Sequence, residues 1–281
     1  MKRPNDTTEQ MNSSDVEEAM RLIRQGGEPA EPEDVATTVP VDVAPIRRVT
    51  SDSRIGMELG NLRLEEKLGA GNMGSVYRAT HVNLGTAYAV KILHPRLSND
   101  AVVAERFRRE AMTCSQLRHR NVVLVTDFGL HANLGLYLVM EHLEGRTLAE
   151  QLDSNGPMDL WQIFQIMAET CAGLDAAHGA GAVHRDLKPE NVFLCGEDGS
   201  VKILDFGIAR ISGGEASLTQ AGATPGTPTY MSPEQIRGRS KDMGPPTDLY
   251  ALGVILYEAL TGVHPLTGPN AIAVIHAHLT A

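Results

Sequence analysis

Cysteine, long apolar runs and excess positive charge are all scarce in this sequence. Its three cysteines, Cys114, Cys171 and Cys195, are scattered, odd in number and without metal-ligand spacing, which excludes a disulfide framework and is typical of a reducing cytoplasm. A net charge of −10 disfavours nucleic-acid partners. The basic start at residues 1–3 is followed by no apolar segment, so we predict no signal peptide.

The longest apolar stretch, residues 249–260, is interrupted by Gly253 and Glu258. It is too short to cross a bilayer. Because its residues are apolar nearly all round, it is predicted to form a helix buried at the centre of a lobe. Asp248 at its start is expected to accept backbone N–H groups, in particular from the loop at residues 184–191.

Aromatic residues are absent from the first 58 positions, which contain several prolines and more acidic than basic side chains. Such a segment cannot bury enough apolar area to offset its ordering entropy, so we predict a disordered acidic tail over residues 1–58. Residues 14–25 have capping-box spacing and an apolar face. A short docking helix and a frayed helix in a disordered arm both stay open for them.

The chemistry-bearing residues concentrate in the stretch His-Arg-Asp-Leu-Lys-Pro-Glu-Asn at positions 184–191. Asp186, Lys188 and Asn191 place a carboxylate, an ammonium and an amide on one loop, which Pro189 stiffens. Phosphoryl transfer needs such a set: a base for the attacking hydroxyl, a cation at the transferred phosphate and a metal ligand. The alternative is an ordinary charged surface turn. It is disfavoured because all the residues that this chemistry needs lie together in positions 184–191.

A glycine-rich segment precedes this loop, with Gly69, Gly71 and Gly74 in the pattern G-x-G-x-x-G-x-V that ends at Val76. Alone the pattern is weak, because in a dinucleotide-binding fold it would open a helix. Here residues 75–80 alternate in polarity, which favours strand, turn and strand. The glycines would let the tip of a hairpin approach phosphate groups closely.

Lys91 lies in a largely apolar strand over residues 86–93, where an unpaired ammonium would be costly. The following helix has Phe107, Glu110, Cys114 and Leu117 on one face. A carboxylate on an inward face needs a cation, so Glu110 is the predicted partner of Lys91. The alternative is that Glu110 lies at the edge of that face and is solvated.

Two further strands, residues 122–128 and 136–140, complete a predicted five-stranded antiparallel sheet that ends at a hinge beginning with Glu141. A helix over residues 160–177 then leads to the central loop, with its apolar stripe in the core. After the loop, a strand runs into Asp205 of an Asp-Phe-Gly sequence, which places a carboxylate where Mg²⁺ could bridge phosphates. The same letters begin at Asp127, which we interpret as a turn residue.

Together these motifs resemble the eukaryotic-like (Hanks-type) serine/threonine protein kinases of bacteria, over residues 59–281. The resemblance implies an α+β bilobal fold. Its small lobe, residues 59–141, holds the five-stranded sheet and one main helix, and its larger lobe, residues 142–281, is mainly helical. The family continues with helices beyond the last one predicted here, at residues 270–279, so we expect the final helices of the larger lobe to be missing.

The resemblance also implies ATP and Mg²⁺ as cofactors. Asp186 would be the catalytic base, Lys188 would assist at the γ-phosphate, and Lys91 would bind phosphates while paired with Glu110. Asn191 and Asp205 would hold Mg²⁺. The nucleotide contacts would be Gly69, Ala70, Gly71, Asn72, Met73, Gly74, Val76, Ala89, Lys91, Glu141, Leu143 and Phe193. In the activation loop, Thr219 is the first choice of phosphorylation site, followed by Ser217 and Thr224.

The predicted function is therefore an ATP-dependent serine/threonine protein kinase, acting on Ser and Thr hydroxyls of proteins and on its own activation loop. The alternative is an ATP-binding interaction or scaffold module whose incomplete lobe leaves turnover negligible. A cytoplasmic location is expected, with membrane tethering through a region beyond residue 281 left open. A homodimer for trans-autophosphorylation also stays open.

Overall fold

Alternating buried and exposed side chains fold the first half of the described chain into an antiparallel sheet. The computed structural model describes residues 52–71, 73–98, 100–196, 199–206, 228–239 and 241–280. The sheet has the order β1-β2-β3-β4-β6-β5. Its strands are β1 (Glu58–Leu59), β2 (Leu62–Gly71), β3 (Gly74–His81), β4 (Ala87–Leu93), β5 (Val125–His131) and β6 (Gly135–Glu141).

The sheet differs from the prediction by one short strand. Five strands were predicted, and the sixth is the edge strand β1, in which Glu58 pairs with Arg63 and Leu59 with Leu62. Residues 52–58, which the sequence analysis assigned to the tail, are part of the folded unit. They lacked an apolar alternation, and they are held instead by hydrogen bonds to the sheet.

The second half of the described chain is mainly helical. The helices are α1 (Pro95–Ser98), α2 (Ala101–Gln116), α3 (Leu148–Asn155), α4 (Leu160–Gly179), α5 (Pro233–Ile236), α6 (Pro245–Thr261) and α7 (Ala271–Thr280). A smaller sheet has the order β7-β8-β9, from β7 (Gly145–Thr147), β8 (Val192–Cys195) and β9 (Val201–Ile203). The predicted bilobal α+β architecture is thus confirmed, because a sheet-rich lobe is followed by a helical one. No helix in the described ranges combines the length and apolarity needed to cross a bilayer.

One hydrophobic core runs through both halves of this unit. Ala89 and Met140 of the sheet, Phe107 of α2, Leu174 of α4 and Ile203 of β9 all belong to it. A second cluster lies on the other face of the sheet and includes Leu64, Tyr77, Val90, Ile92 and Val139. The site described below lies where the first core joins the two halves.

Helix α4 buries a stripe that only partly overlaps the predicted one, which comprised Leu160, Ile163, Phe164, Met167, Cys171 and Leu174. Its buried residues are Ile163, Ile166, Thr170, Gly173, Leu174 and Ala177, whereas Leu160 and Phe164 are exposed. The reason is close approach at Gly173, where an added Cβ would lie 2.7 Å from the carbonyl oxygen of Asn121. A pattern of large apolar residues cannot reveal a contact face built on small ones.

Helix α6 was predicted to be buried all round, and that prediction was wrong for one face. Ala251, Leu252 and Ile255 are buried, whereas Leu249 and Tyr257 are about half exposed, at 54% and 46%. Nearby, the rings of Trp161 and Phe164 stack on each other at the surface with centroids 6.0 Å apart. We refer to the exposed apolar side chains of α4 and α6 as the apolar surface: Leu160, Trp161, Phe164, Leu249, Leu256, Tyr257 and Leu260.

Candidate active site

One buried carboxylate holds the loop at residues 184–191. Asp248 lies in the first turn of α6, and its oxygens accept hydrogen bonds from the backbone N–H groups of His184 and Arg185, both at 2.8 Å. Its Oδ2 is also 2.8 Å from Nε2 of His178, near the end of α4. The prediction that Asp248 accepts N–H groups of this loop is confirmed.

Two residues of the site have a backbone conformation that side chains rarely adopt. Arg185 has a φ of +65° and Asp205 a φ of +60°. Such conformations cost of order 1–3 kcal/mol and persist only where surrounding contacts hold them. For Arg185 these contacts are the bond to Asp248 and a bond of 2.7 Å that its carbonyl accepts from Nε2 of Gln235. Strain of this kind is concentrated at functional sites.

The three predicted groups of the loop lie close together. Nζ of Lys188 is 3.2 Å from Oδ2 of Asp186, whose side chain is 47% exposed. Asn191 is buried, and its Nδ2 donates to the carbonyl of Asp186 at 2.7 Å. The side-chain amide is therefore held in place through its nitrogen. The carbonyl of Asn191 accepts from the N–H of Leu204 at 2.9 Å. This bond joins the loop to the segment that carries Asp205.

Lys91 supplies a buried ammonium, and its ion pair is with Asp205. Nζ of Lys91 lies 2.7 Å from Oδ2 of Asp205. Burial by itself raises the pKa of Asp205, but the attraction of Lys91, supported by His184 and Lys188, lowers it below its usual value. The carboxyl group is therefore ionised at neutral pH.

Glu110 was the predicted partner of Lys91, and this pairing stays a prediction, while Lys91 forms an ion pair with Asp205. Glu110 does face inward, because it lines an apolar cavity together with Cys114, Met140 and Asp205. The predicted inward face of this helix is thus confirmed, since Phe107, Glu110, Cys114 and Leu117 all line this cavity. Two carboxylates border this cavity, and the ammonium forms its ion pair with Asp205.

The donor set around this pair suits a hard divalent cation. Asn191 and Asp205 offer one amide oxygen and one carboxylate, which are ligands that Mg²⁺ accepts. Within the described ranges, no three His, Cys, Asp or Glu side chains form a metal-binding group. Mg²⁺ in general keeps several waters and binds through one or two protein groups plus phosphate oxygens.

The glycine-rich segment forms the hairpin between β2 and β3, as predicted. Gly71 pairs with Gly74, and Gly74 pairs in turn with Leu93 of β4. A Cβ on Gly74 would lie 2.0 Å from the carbonyl oxygen of Ile92, so no other residue fits there without a shift of the backbone. The hairpin therefore lies directly against the strand that carries Lys91.

The predicted hinge begins at Glu141, whose side chain is held by two hydrogen bonds within the protein. Its Oε1 accepts from Nζ of Lys202 at 2.8 Å and from the N–H of Leu124 at 2.7 Å. Its own N–H donates to the carbonyl of Leu124 at 3.0 Å, so both this N–H and Oε1 are engaged in bonds within the protein. The ring of Phe193 lies beside Gly145, just after the hinge.

Several of the other residues predicted to contact the nucleotide belong to the core or to the hairpin. Ala89 is in the core that joins the two halves, and Val76 and Leu143 pack against it. Ala70 lies in β2 and pairs with Ser75 of β3, and Met73 lies in the turn between these strands. Asn72, Ser217, Thr219 and Thr224 lie outside the described residues.

Asp127 provides an internal comparison with Asp205, and the prediction that it is a turn residue was wrong. It lies in β5, at an irregularity of the pairing with β6, and its Oδ1 accepts from the N–H of Phe128 at 2.8 Å. The irregularity explains the error, because the pairing between strands is locally disrupted there, as it is at a turn. Asp127 is exposed, whereas Asp205 forms the ion pair with Lys91.

Three residues of the site were missed by the sequence analysis. Lys202 could have been found, because a cation in an apolar strand needs a partner just as Lys91 does. For Gln235 and His94, which contact Arg185 and the hairpin, no pattern in the sequence indicated a role.

Comparison with known proteins identifies the family. The family described as protein kinase domain matches residues 62–280. The chain belongs to this family. Serine/threonine-protein kinase pkn3 of Myxococcus xanthus is 39% identical over 242 residues, which cover 84% of this chain and 44% of that protein. PknB of Mycobacterium leprae is 40% identical over 225 residues, 79% of this chain and 35% of that protein.

PknL of Mycobacterium tuberculosis is 40% identical over 218 residues, 78% of this chain and 53% of that protein. This kinase-domain chain thus spans about half or less of the length of these curated relatives. The resemblance to bacterial serine/threonine protein kinases is confirmed, since the family model and relatives with that printed name agree.

Proposed function

We propose that this kinase-domain chain transfers the γ-phosphate of ATP to Ser and Thr hydroxyls of proteins, including hydroxyls of its own activation loop. The observation that carries the proposal is the convergence of Lys91, Asp205, Asn191, Asp186 and Lys188 at the junction of the two halves. One buried ammonium, one ionised carboxylate and one exposed carboxylate beside a second ammonium are the charges that phosphoryl transfer requires.

Each side chain has a separate task in this proposal. Asp186 orients the substrate hydroxyl and accepts its proton, and its exposure allows a protein substrate to approach. Lys188 neutralises charge on the transferred group, and Lys91 binds the phosphates. Asn191 and Asp205 would hold Mg²⁺, which supplies charge neutralisation at the phosphates when bound. Glu110 stays proposed as the partner of Lys91.

The adenine would lie between Val76 and Ala89 on one side and Phe193 on the other, with the hinge carbonyl of Glu141 at its edge. Thr219, and after it Ser217 and Thr224, stay the proposed phosphorylation sites. The proposed partners are protein substrates, and pairing of two copies for trans-autophosphorylation is part of the same proposal. An acidic net charge does not favour nucleic acid.

The two Asp-Phe-Gly sequences give the sharpest test. We expect Asp205→Asn to lower phosphate incorporation from Mg-ATP at least about a hundredfold, because a charge at the reacting phosphates is lost. Asp127→Asn, with the same neighbours in sequence, should retain wild-type activity. Asp186→Asn should also abolish incorporation. Nucleotide binding without any incorporation by the wild-type chain would support the interaction module instead.

A further inference from the structure

His94 contacts both sides of the glycine-rich hairpin. Its ring nitrogen Nε2 lies 3.1 Å from the carbonyl oxygen of Gly71. Its backbone N–H donates to the carbonyl of Met73 at 2.9 Å. Because His94 directly follows β4, the strand that carries Lys91 is tied at its end to the two residues that flank the tip of the hairpin.

Packing around the tip is sparse, so these two bonds matter for its position. An added Cβ on Gly69 or Gly71 would meet nothing within 4 Å among the described residues, and both glycines are exposed. Strand pairing reaches the tip through Gly74 and Leu93. On the other side of the tip, at Gly71, the contact with β4 is made by the imidazole of His94.

We propose that His94 is a positioning residue that holds the hairpin over the phosphates of the nucleotide. The proposal rests on the function proposed above. The imidazole Nε2–H donates to the carbonyl of Gly71 and fixes the hairpin relative to Lys91. The backbone N–H groups of the hairpin and the ammonium of Lys91 then contact the same phosphates. Loss of this bond lowers affinity for ligands that carry phosphates and leaves affinity for the bare nucleoside unchanged.

Equilibrium binding of two probes tests the proposal: the magnesium complex of a non-hydrolysable ATP analogue, and adenosine. His94→Phe keeps a ring of similar size and removes the donor, so it should weaken binding of the analogue about three- to tenfold, as expected for one hydrogen bond. Adenosine binding should not change. His94→Gln keeps an N–H donor of similar reach and should restore most of the analogue affinity.

The matched control is His81→Phe. His81 lies at the opposite end of the same strands, where its Nδ1 accepts from the N–H groups of Asn83 and Leu84. This variant should bind both probes as the wild type does. A change of similar size in His81→Phe and His94→Phe would overturn the proposal, because it would reflect the stability of the sheet.

Three other results would also overturn it: unchanged analogue binding in His94→Phe, an equal loss for both probes, or no rescue by His94→Gln. If the wild type binds neither probe, the proposed function is wrong, but the role of His94 can still be tested. Amide hydrogen exchange over residues 69–76 then measures whether the bond of His94 holds the hairpin. Exchange should then be faster in His94→Phe than in the wild type and His94→Gln, and equal rates would refute it. His94→Ala replaces the Phe variant if the latter does not fold.

Discussion

At the scale of single residues, Cys114 and Cys171 differ in burial and therefore in expected reactivity. Burial raises the pKa of the Cys114 thiol to about 12, and the negative charges of Glu110 and Asp205 add to the effect. Its Sγ–H also donates to the carbonyl of Phe206 at 3.3 Å. Cys171 is exposed on α4. Because the thiolate is the reactive form and Cys114 is held as a buried neutral thiol, Cys171 should react with electrophiles at ordinary pH and Cys114 should not.

We therefore expect iodoacetamide at pH 8 to alkylate Cys171 in the folded protein and to leave Cys114 unmodified. A raised pKa means that the neutral thiol persists until the pH approaches 12, and burial excludes the reagent as well. Mass spectrometry of the alkylated peptides provides the measurement. In urea both cysteines should react, and modification of native Cys114 at the rate of Cys171 would contradict the structure.

The pairing of Lys91 shows what residue patterns can and cannot predict at this scale. The cost of a buried ammonium identified Lys91 as a residue that needs a carboxylate. Glu110 and Asp205 both border the cavity beside it. The ion pair with Asp205 involves a residue with a positive φ, and helical periodicity contains no information on such backbone geometry.

At the scale of elements, α6 carries the carboxylate on which the central loop is built. Asp248→Ala would leave the N–H groups of His184 and Arg185, together with the His178 ring, without their acceptor. Unsatisfied buried donors cost about 1–3 kcal/mol each, so we expect a loss of about 2–4 kcal/mol in the free energy of unfolding. Activity should fall as well, because the strained conformation of Arg185 loses its support.

Urea unfolding measures this loss, and Asp175→Ala is the matched control on α4. Asp175 is exposed, so its substitution should change the free energy of unfolding by less than about 0.5 kcal/mol. If the two variants unfold at the same urea concentration, the bonds of Asp248 do not contribute as described.

Most helices and strands could be predicted from periodicity, because each has one face in a core. The strands that carry Gly74 and Lys91 were predicted within a residue or two of their observed bounds. The buried face of α4 could not be predicted, since it depends on the close approach at Gly173. The edge strand β1 was missed because two residues are too short for any period to be visible.

At the scale of the whole molecule, the residues before β1 are attached to the outer face of the sheet. The hydroxyl of Tyr77, which is fully buried, donates to Asp52 at 2.7 Å and accepts from Arg54 at 3.2 Å. The Tyr77 hydrogen bond, followed by the backbone N–H of Arg54, lowers the pKa of Asp52. This attachment adds residues 52–57 to the folded unit.

Tyr77→Phe should lower the free energy of unfolding at pH 7 by about 1–2 kcal/mol, because a bond to a charged acceptor is lost. A lowered folded-state pKa makes this contribution fully present above the ordinary pKa of 3.8. It disappears as the pH falls through the lower folded-state value. Thermal unfolding across this range measures the difference between variant and wild type.

Tyr88→Phe is the control, because Tyr88 packs against the same outer cluster and its hydroxyl forms no hydrogen bond with any described residue. This variant should unfold like the wild type at every pH. A Tyr77→Phe protein whose deficit persists undiminished in acid would show that the loss comes from packing and not from Asp52.

The apolar surface of α4 and α6 has a practical consequence for handling the protein. Leu160, Trp161 and Leu249 are between about half and three-quarters exposed, and salts that are excluded from protein surfaces strengthen the tendency of such groups to leave water. We therefore expect this chain to bind to a phenyl resin even at a low concentration of ammonium sulfate. Elution will require nearly salt-free buffer, and storage at high sulfate will favour precipitation.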